Sequence, residues 1–189
     1  MTRRPLSLVA LLLLAGCTTG RAHPAAAPAP AVCTGGQTVF AKAVTGKLLT
    51  GVTPVEKGLA RDVVFTDPYD QINTRTAAVR TAATAPAEQI YRELAGRYGE
   101  DHPLAPYGEV YHPATGESFS MDRTGRFVAY EWLRTLDVPF HYTCGGTTTD
   151  GTVITWSAVL TDGILNCDEP APAATTADDP EREARRLRC

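Results

Sequence analysis

The run from residue 140 to residue 160 constrains this chain more than any other stretch. Phe140, Tyr142 and Cys144 alternate with His141 and Thr143, and further on Ile154, Trp156, Ala158 and Leu160 fall on one face of TVITWSAVL. A period of two is the mark of a half-buried strand. Residues 145–151, GGTTTDG, suit a hairpin connection, so the two strands are expected to be antiparallel neighbours. Trp156 then reads as core. A turn at Thr161-Asp162-Gly163 leads into Ile164, Leu165 and Cys167 beside the same sheet.

Other segments add strands and one clear helix. Residues 37–50 are rich in valine and threonine, and Val39, Ala41 and Ala43 alternate with Phe40, Lys42 and Val44. This reads as a strand with a hairpin turn at Thr45-Gly46-Lys47. Residues 51–58 contain Pro54 and read as a connection. Val63-Val64-Phe65 follow, ending in the turn signal Asp67-Pro68-Tyr69-Asp70. Over residues 84–98, Thr84 as cap, Pro86 in the first turn and Glu88 at the positive end of the dipole predict a helix. Its apolar face is Ala87, Ile90, Tyr91, Leu94 and Tyr98, Glu93 and Arg97 pair outside, and Gly99 stops it. Residues 117–132 read as a hairpin around Asp122-Arg123-Thr124-Gly125, with a short helix over 130–136 as the alternative. Pro139 is expected to end either.

The amino terminus sets the compartment. Arg3 and Arg4 precede an apolar run from Leu6 to Ala15, the layout of a secretory signal and far short of the roughly 20 residues that span a bilayer. With Leu14-Ala15-Gly16-Cys17 the segment resembles the lipobox of bacterial lipoprotein precursors. That resemblance covers residues 1–17 alone. It implies that Cys17 receives diacylglycerol and becomes the mature amino terminus, anchoring the protein to the outer face of the bacterial cell membrane. Residues 18–32, TTGRAHPAAAPAPAV, have little to bury and favour extended polyproline II, a tether on the order of 45 Å at about 3.1 Å per residue.

Without residues 1–16 the chain has 173 residues, with sixteen basic and twenty-one acidic side chains. This length fits one domain with flanking tails. The mildly acidic balance gives no electrostatic reason to bind nucleic acid. Arginine outnumbers lysine fifteen to three, and with abundant alanine, glycine and proline this suggests a high-GC bacterium.

Four cysteines besides Cys17 remain in an oxidising compartment: Cys33, Cys144, Cys167 and Cys189. They fit two disulfides, and four cysteines allow three pairings. The preferred expectation joins Cys144 to Cys167 across a strand unit and Cys33 to Cys189 across the ends of the domain. The tail DEPAPAATTADD is of low complexity, and PEREARRLRC carries the signals of a short helix with acids first and arginines last.

Chemistry is sparsely written. There is no GxSxG, SxxK, HExxH or Walker loop, so no catalytic residue, metal site or cofactor is assigned. The irregular, polar-aromatic stretch 101–115 is the candidate binding surface, with His102, Tyr107, Glu109, Tyr111 and His112. The competing reading is an ordered connection whose rings lie on the sheet.

The expected architecture is α+β: a disulfide-stabilised antiparallel sheet of four to six strands with at least one packed helix. Residues 1–16 are the signal, 17–32 the lipidated tether, 33–167 one globular domain and 168–189 a tail ending in a short helix. The expected role is a membrane-anchored extracytoplasmic binding or envelope-interaction domain, with another envelope protein, a glycan or a small molecule as possible ligand. The alternative is a metal-dependent hydrolase using His102, His112, His141 and a carboxylate such as Asp101 or Glu109.

Overall fold

The computed structural model describes residues 31–59, 63–82, 84–113, 115–119, 124–171 and 179–189. The signal, Cys17 and the tether before residue 31 lie outside them, as do 120–123 in the expected hairpin turn and 172–178 of the tail. The strands are β1 (Gln37–Phe40), β2 (Val44–Val52), β3 (Glu56–Leu59), β4 (Val63–Pro68), β5 (Asp70–Gln71), β6 (Ala78–Thr81), β7 (Thr115–Phe119), β8 (Thr124–Cys144), β9 (Thr147–Trp156) and β10 (Thr161–Asn166). The helices are α1 (Ala87–Tyr98) and α2 (Pro180–Arg188). The fold is α+β, with an antiparallel sheet of eight strands, more than the four to six expected, and a separate pair β4–β7.

The sheet is built along β8, a 21-residue strand dense in Phe, Tyr, Trp and Val, the residues that fit a pleated, half-buried surface. On one edge it pairs in turn with β1 (Gln37 opposite Thr143), β2 (Val44 opposite Asp137) and β3 (Glu56 opposite Phe127). On the other it pairs with β9 (Thr147 opposite Cys144) and β10 (Thr161 opposite Trp132). Three long ribbons therefore lie side by side, the outer two interrupted at 41–43, 53–55 and 157–160. The short strands β5 and β6 add to β2 and β9.

The interruptions are bridged by other bonds. Ala41 N–H donates to the Pro139 carbonyl at 2.8 Å, and Thr53 donates its N–H to the Ala129 carbonyl while its Oγ1 accepts from the Ala129 N–H, both at 3.0 Å. Ser157 N–H donates to the Arg134 carbonyl at 3.0 Å. Pro139 thus does not end the strand, contrary to expectation. A strand residue aims its N–H and C=O to the same side, so the missing N–H of Pro139 falls at the break between β1 and β2, where no ladder partner needs it.

Glycines explain further departures from the sequence reading. Gly46 lies inside β2, not in a turn, because both β1 and β2 pair with β8. Gly163 sits opposite Tyr130 and Gly151 opposite Phe140, where an added Cβ would stand 2.5 and 2.3 Å from the facing ring. These glycines let rings of β8 lie across neighbouring strands. The connection itself is only Gly145-Gly146, both at positive φ (58° and 80°), as a tight two-residue hairpin requires. Residues 51–58, read as a connection, instead contribute the end of β2 and most of β3, and the 67–70 turn signal falls at the passage from β4 to β5. β7 pairs with β4 and not with β8, so the hairpin expected over 117–132 does not form among the described residues, and strand, not helix, occupies 130–136.

Both helices lie on the same face of β8, at its two ends. Side chains two apart share a face, and Leu136, Val138, Phe140 and Tyr142 pack in one cluster with Ile90, Tyr91 and Leu94 of α1. At the other end Val128 and Tyr130 pack with Ala184 and Leu187 of α2 and with Leu49, Val52 and Leu165. The first helix starts at Ala87 after Pro86 with no side-chain cap, so Thr84 does not serve as one. It ends at Gly99, φ 68°, and carries the Glu93–Arg97 pair at 3.0 Å. For α2 the Asp179 carboxylate accepts the Glu181 N–H at 3.1 Å and Pro180 opens the helix. The opposite face of β8 holds Phe127 and Ala129 against Tyr69, and then Glu131, 1% exposed.

The disulfides are Cys33–Cys144 and Cys167–Cys189, with Cα atoms 6.3 and 5.2 Å apart. The pairing preferred from sequence is therefore overturned. Cys144 ends β8, whereas Cys167 follows Asn166, which faces Phe127; the strand between them is on the order of 55 Å long at about 3.3 Å per residue. One bridge ties the segment before β1 to the hairpin end of the sheet. The other fastens α2, too short to persist alone, to the end of β10.

Two outcomes follow. Gly151→Ala drives a Cβ into the buried Phe140 ring and the Arg80 carbonyl and should lower stability by about 1–3 kcal/mol in urea unfolding; an unchanged midpoint would contradict this packing. Burial, with Glu181, Asp179 and Asp162 nearby, pushes the Tyr130 phenol up to about 12. Above pH 10 the unfolded chain loses this proton while the native state keeps it, so this contribution, complete below pH 10, is lost as pH rises toward 12. Tyr130→Phe should flatten the decline measured between pH 9 and 11.5, and an equally steep decline in the variant would refute the assignment.

Candidate functional site

Between the helices one strip of the sheet face has no cover. In the alternation that runs Tyr130, Trp132, Arg134, Leu136, the first lies with α2 and the last with α1, leaving Trp132 and Arg134 between them. Across the ladder, Lys47 stands opposite Arg134 and Thr45 opposite Leu136. The strip sits on the central strand: β2 pairs with it along one side, and on the other Trp132 pairs with Thr161 while the break at 157–160 beside Arg134 is bridged by the Ser157 N–H bond to the Arg134 carbonyl.

A cleft of about 250 Å³ opens on the α1 side of the strip. Tyr98 from the end of α1, with Leu104 and Leu136, gives it apolar walls. Thr45, His102, Arg134 and Ser157 supply the polar groups. Leu104 is fixed there by a bridge to Ser157, and Ala158 N–H donates to the Pro103 carbonyl at 2.8 Å. Just beyond Ser157, Val159 and Leu160 are 59% and 55% exposed. A second cleft of about 200 Å³, lined by Lys47, Leu49, Asn73 and the start of α2, flanks the strip on its other side.

The charges of the strip are unbalanced. Lys47 and Arg134 are direct cross-strand neighbours, and among the described residues neither has an ion-pair partner. Like charges placed so repel. Lys47 Nζ rests 5.0 Å from the Trp132 ring centroid, a cation–π contact of about 0.5–1 kcal/mol at an exposed site. Arg134 has no such contact and is left to face the cleft. In the second cleft Glu183 is held below the usual carboxylate range by Arg186, its partner at 2.6 Å.

The residues singled out from sequence are dispersed. His102 lines the first cleft and is exposed. Tyr107 is 42% exposed and lies against Tyr91, ring centroids 5.4 Å apart. Tyr111 is 5% exposed and meets Trp156 edge-on at 6.0 Å, so it belongs to the core and not to a surface. Glu109 and His112 are exposed, and Glu109 uses its carbonyl to accept from Ala77 N–H at 2.8 Å. The stretch 101–113 is thus in good part an ordered connection laid on the sheet. Burial raises the Tyr91 phenol above its ordinary value, opposed by its 2.5 Å bond with Thr155 Oγ1.

His141 pairs with Asp150 at 2.6 Å on the β8–β9 hairpin. His102, His112 and His141 do not form one ligand group, and among the described residues no three His, Cys, Asp or Glu side chains are placed to hold a metal ion. Sequence reasoning missed Lys47, Trp132 and Arg134, because their convergence depends on the register of β2 against β8. No protein-family model matches the chain, and no match is found among curated proteins or solved structures.

The repulsion is measurable. A double-mutant cycle of Lys47→Gln and Arg134→Gln should give an unfavourable coupling of about 0.2–1 kcal/mol at low salt, shrinking toward zero in 1 M salt. A favourable coupling would mean that the two cations do not face each other.

Proposed function

We propose that this protein is a lipid-tethered, extracytoplasmic, non-catalytic binding domain of a bacterial envelope, and that it takes its ligand on the strip between α1 and α2. The observation that carries the binding reading is the strip itself: an uncovered cation beside apolar walls, on the strand with which five others pair. Binding sites combine such apolar lining with a few placed polar groups. The tether rests on the resemblance of residues 1–17 to a lipobox. Two disulfides accord with an oxidising compartment. Among the described residues no helix is long and apolar enough to cross a membrane; the anchor in this reading is the lipid on Cys17.

The binding site is accordingly moved from the 101–115 loop to the sheet face, with His102 as the member they share. The test uses the full chain expressed in a bacterium that processes lipoproteins. The wild type should fractionate with membranes carrying a diacylglyceryl group on Cys17, and Cys17→Ala should be released. Membrane retention of the variant would refute the anchor. The released Cys17→Ala chain, incubated with an envelope extract, should retain a small molecule in native mass spectrometry that denaturation removes; a bare polypeptide would refute the binding role.

A further inference from the structure

The cleft at Arg134 also specifies a class of ligand. Resting on the binding role just described, we propose that it takes a small amphipathic monocarboxylate, with the carboxylate on the Arg134 guanidinium and the carbon body against Tyr98, Leu104 and Leu136.

Charge selects the head group of the ligand. Among the described residues the lining includes one arginine, one histidine, three hydroxyl residues (Thr45, Tyr98 and Ser157) and no carboxylate. A planar guanidinium without a partner matches a carboxylate in two parallel hydrogen bonds. The nearest second cation in the ladder, Lys47, is turned over Trp132 and lines the other cleft. The net charge at this cleft therefore suits a monoanion better than a phosphate dianion. A bound anion would also relieve the repulsion between Lys47 and Arg134.

Shape selects the ligand's carbon body. A cavity of roughly 150 Å³ holds one benzene, so about 250 Å³ accommodates a chain or ring of roughly six to ten carbons. Thr45 and Ser157 stand beside Leu136 and Arg134 and can donate to the second face of the carboxylate. Val159 and Leu160, two and three residues beyond Ser157 and exposed, offer further apolar surface to a longer chain. A hydrocarbon without the acid leaves the arginine unmatched, and an anion without the hydrocarbon leaves the apolar walls wet.

Octanoate, octanol, inorganic phosphate and phosphatidylglycerol vesicles are the probes, titrated into the folded Cys17→Ala chain and followed by amide chemical shifts. Octanoate should shift Arg134, Leu136, Ser157 and His102 in a saturable way, with octanol and phosphate each at least tenfold weaker. Arg134→Gln should weaken octanoate at least tenfold while leaving the unliganded spectrum otherwise unchanged, and Leu104→Asp should abolish binding. Equal binding of octanol, equal or tighter binding of phosphate, response to vesicles alone, or an Arg134→Gln variant that binds octanoate as well as the parent would each overturn the proposal. If octanoate fails while an envelope molecule is still retained, the class is wrong and the binding role stands.

Discussion

A ladder of backbone hydrogen bonds along β8 is the interaction on which the other elements depend. Five strands pair with it directly and two more pair with those partners. The outer ribbons are each interrupted, and every interruption is bridged back to β8, at Pro139, Ala129 and Arg134. Both disulfides lie at the ends of this ladder, one at the hairpin and one beyond Asn166. The helices bury their apolar residues in the clusters that β8 anchors: Ile90 and Leu94 at one end, Ala184 and Leu187 at the other.

The site is a consequence of the same geometry. A 21-residue strand presents more face than helices of twelve and nine residues cover. What remains between them is Trp132 and Arg134, with Lys47 and Thr45 from β2. Cations placed there cost stability through mutual repulsion and add nothing to the core. Trp132 is nevertheless paired with both Leu49 and Thr161, and Arg134 with Lys47 and, through its carbonyl, with the Ser157 N–H, backbone support of the kind a preformed site needs.

Local patterns in the sequence reported on local structure and failed where register decides. The alternation of Phe140, Tyr142, Ile154 and Trp156 and the apolar spacing of α1 depend on neighbours in the chain, and strand and helix form there, although β9 stops at Trp156 and leaves Ala158 and the exposed Leu160, read as part of the same strand, in the break before β10. Gly46, Gly151 and Gly163 carry turn signals, yet they sit in strands because each answers a ring or strand beside it, information held some ninety, eleven and thirty-three residues away in β8. Pro139 reads as a stop only until the break at 41–43 is known to face it. Cysteine pairing follows from which ends of β8 the strands reach, and no spacing encodes that. The same limit hid the site: His102 stood out as a histidine beside prolines, whereas Arg134 gains meaning only from Lys47 across the ladder.

β8 as one continuous strand, paired along both edges and bridged across their breaks, holds the strip in place. Residue-resolved hydrogen exchange on the folded protein tests this most directly. Amides of residues 130–140 that are bonded within the sheet should exchange only through global unfolding, including those beside the exposed side chains of the strip. Rapid exchange at Trp132 to Leu136, with slow exchange confined to the two helix-covered ends, would show two separate sheets joined by a loose segment and would contradict both the spine and the preformed site.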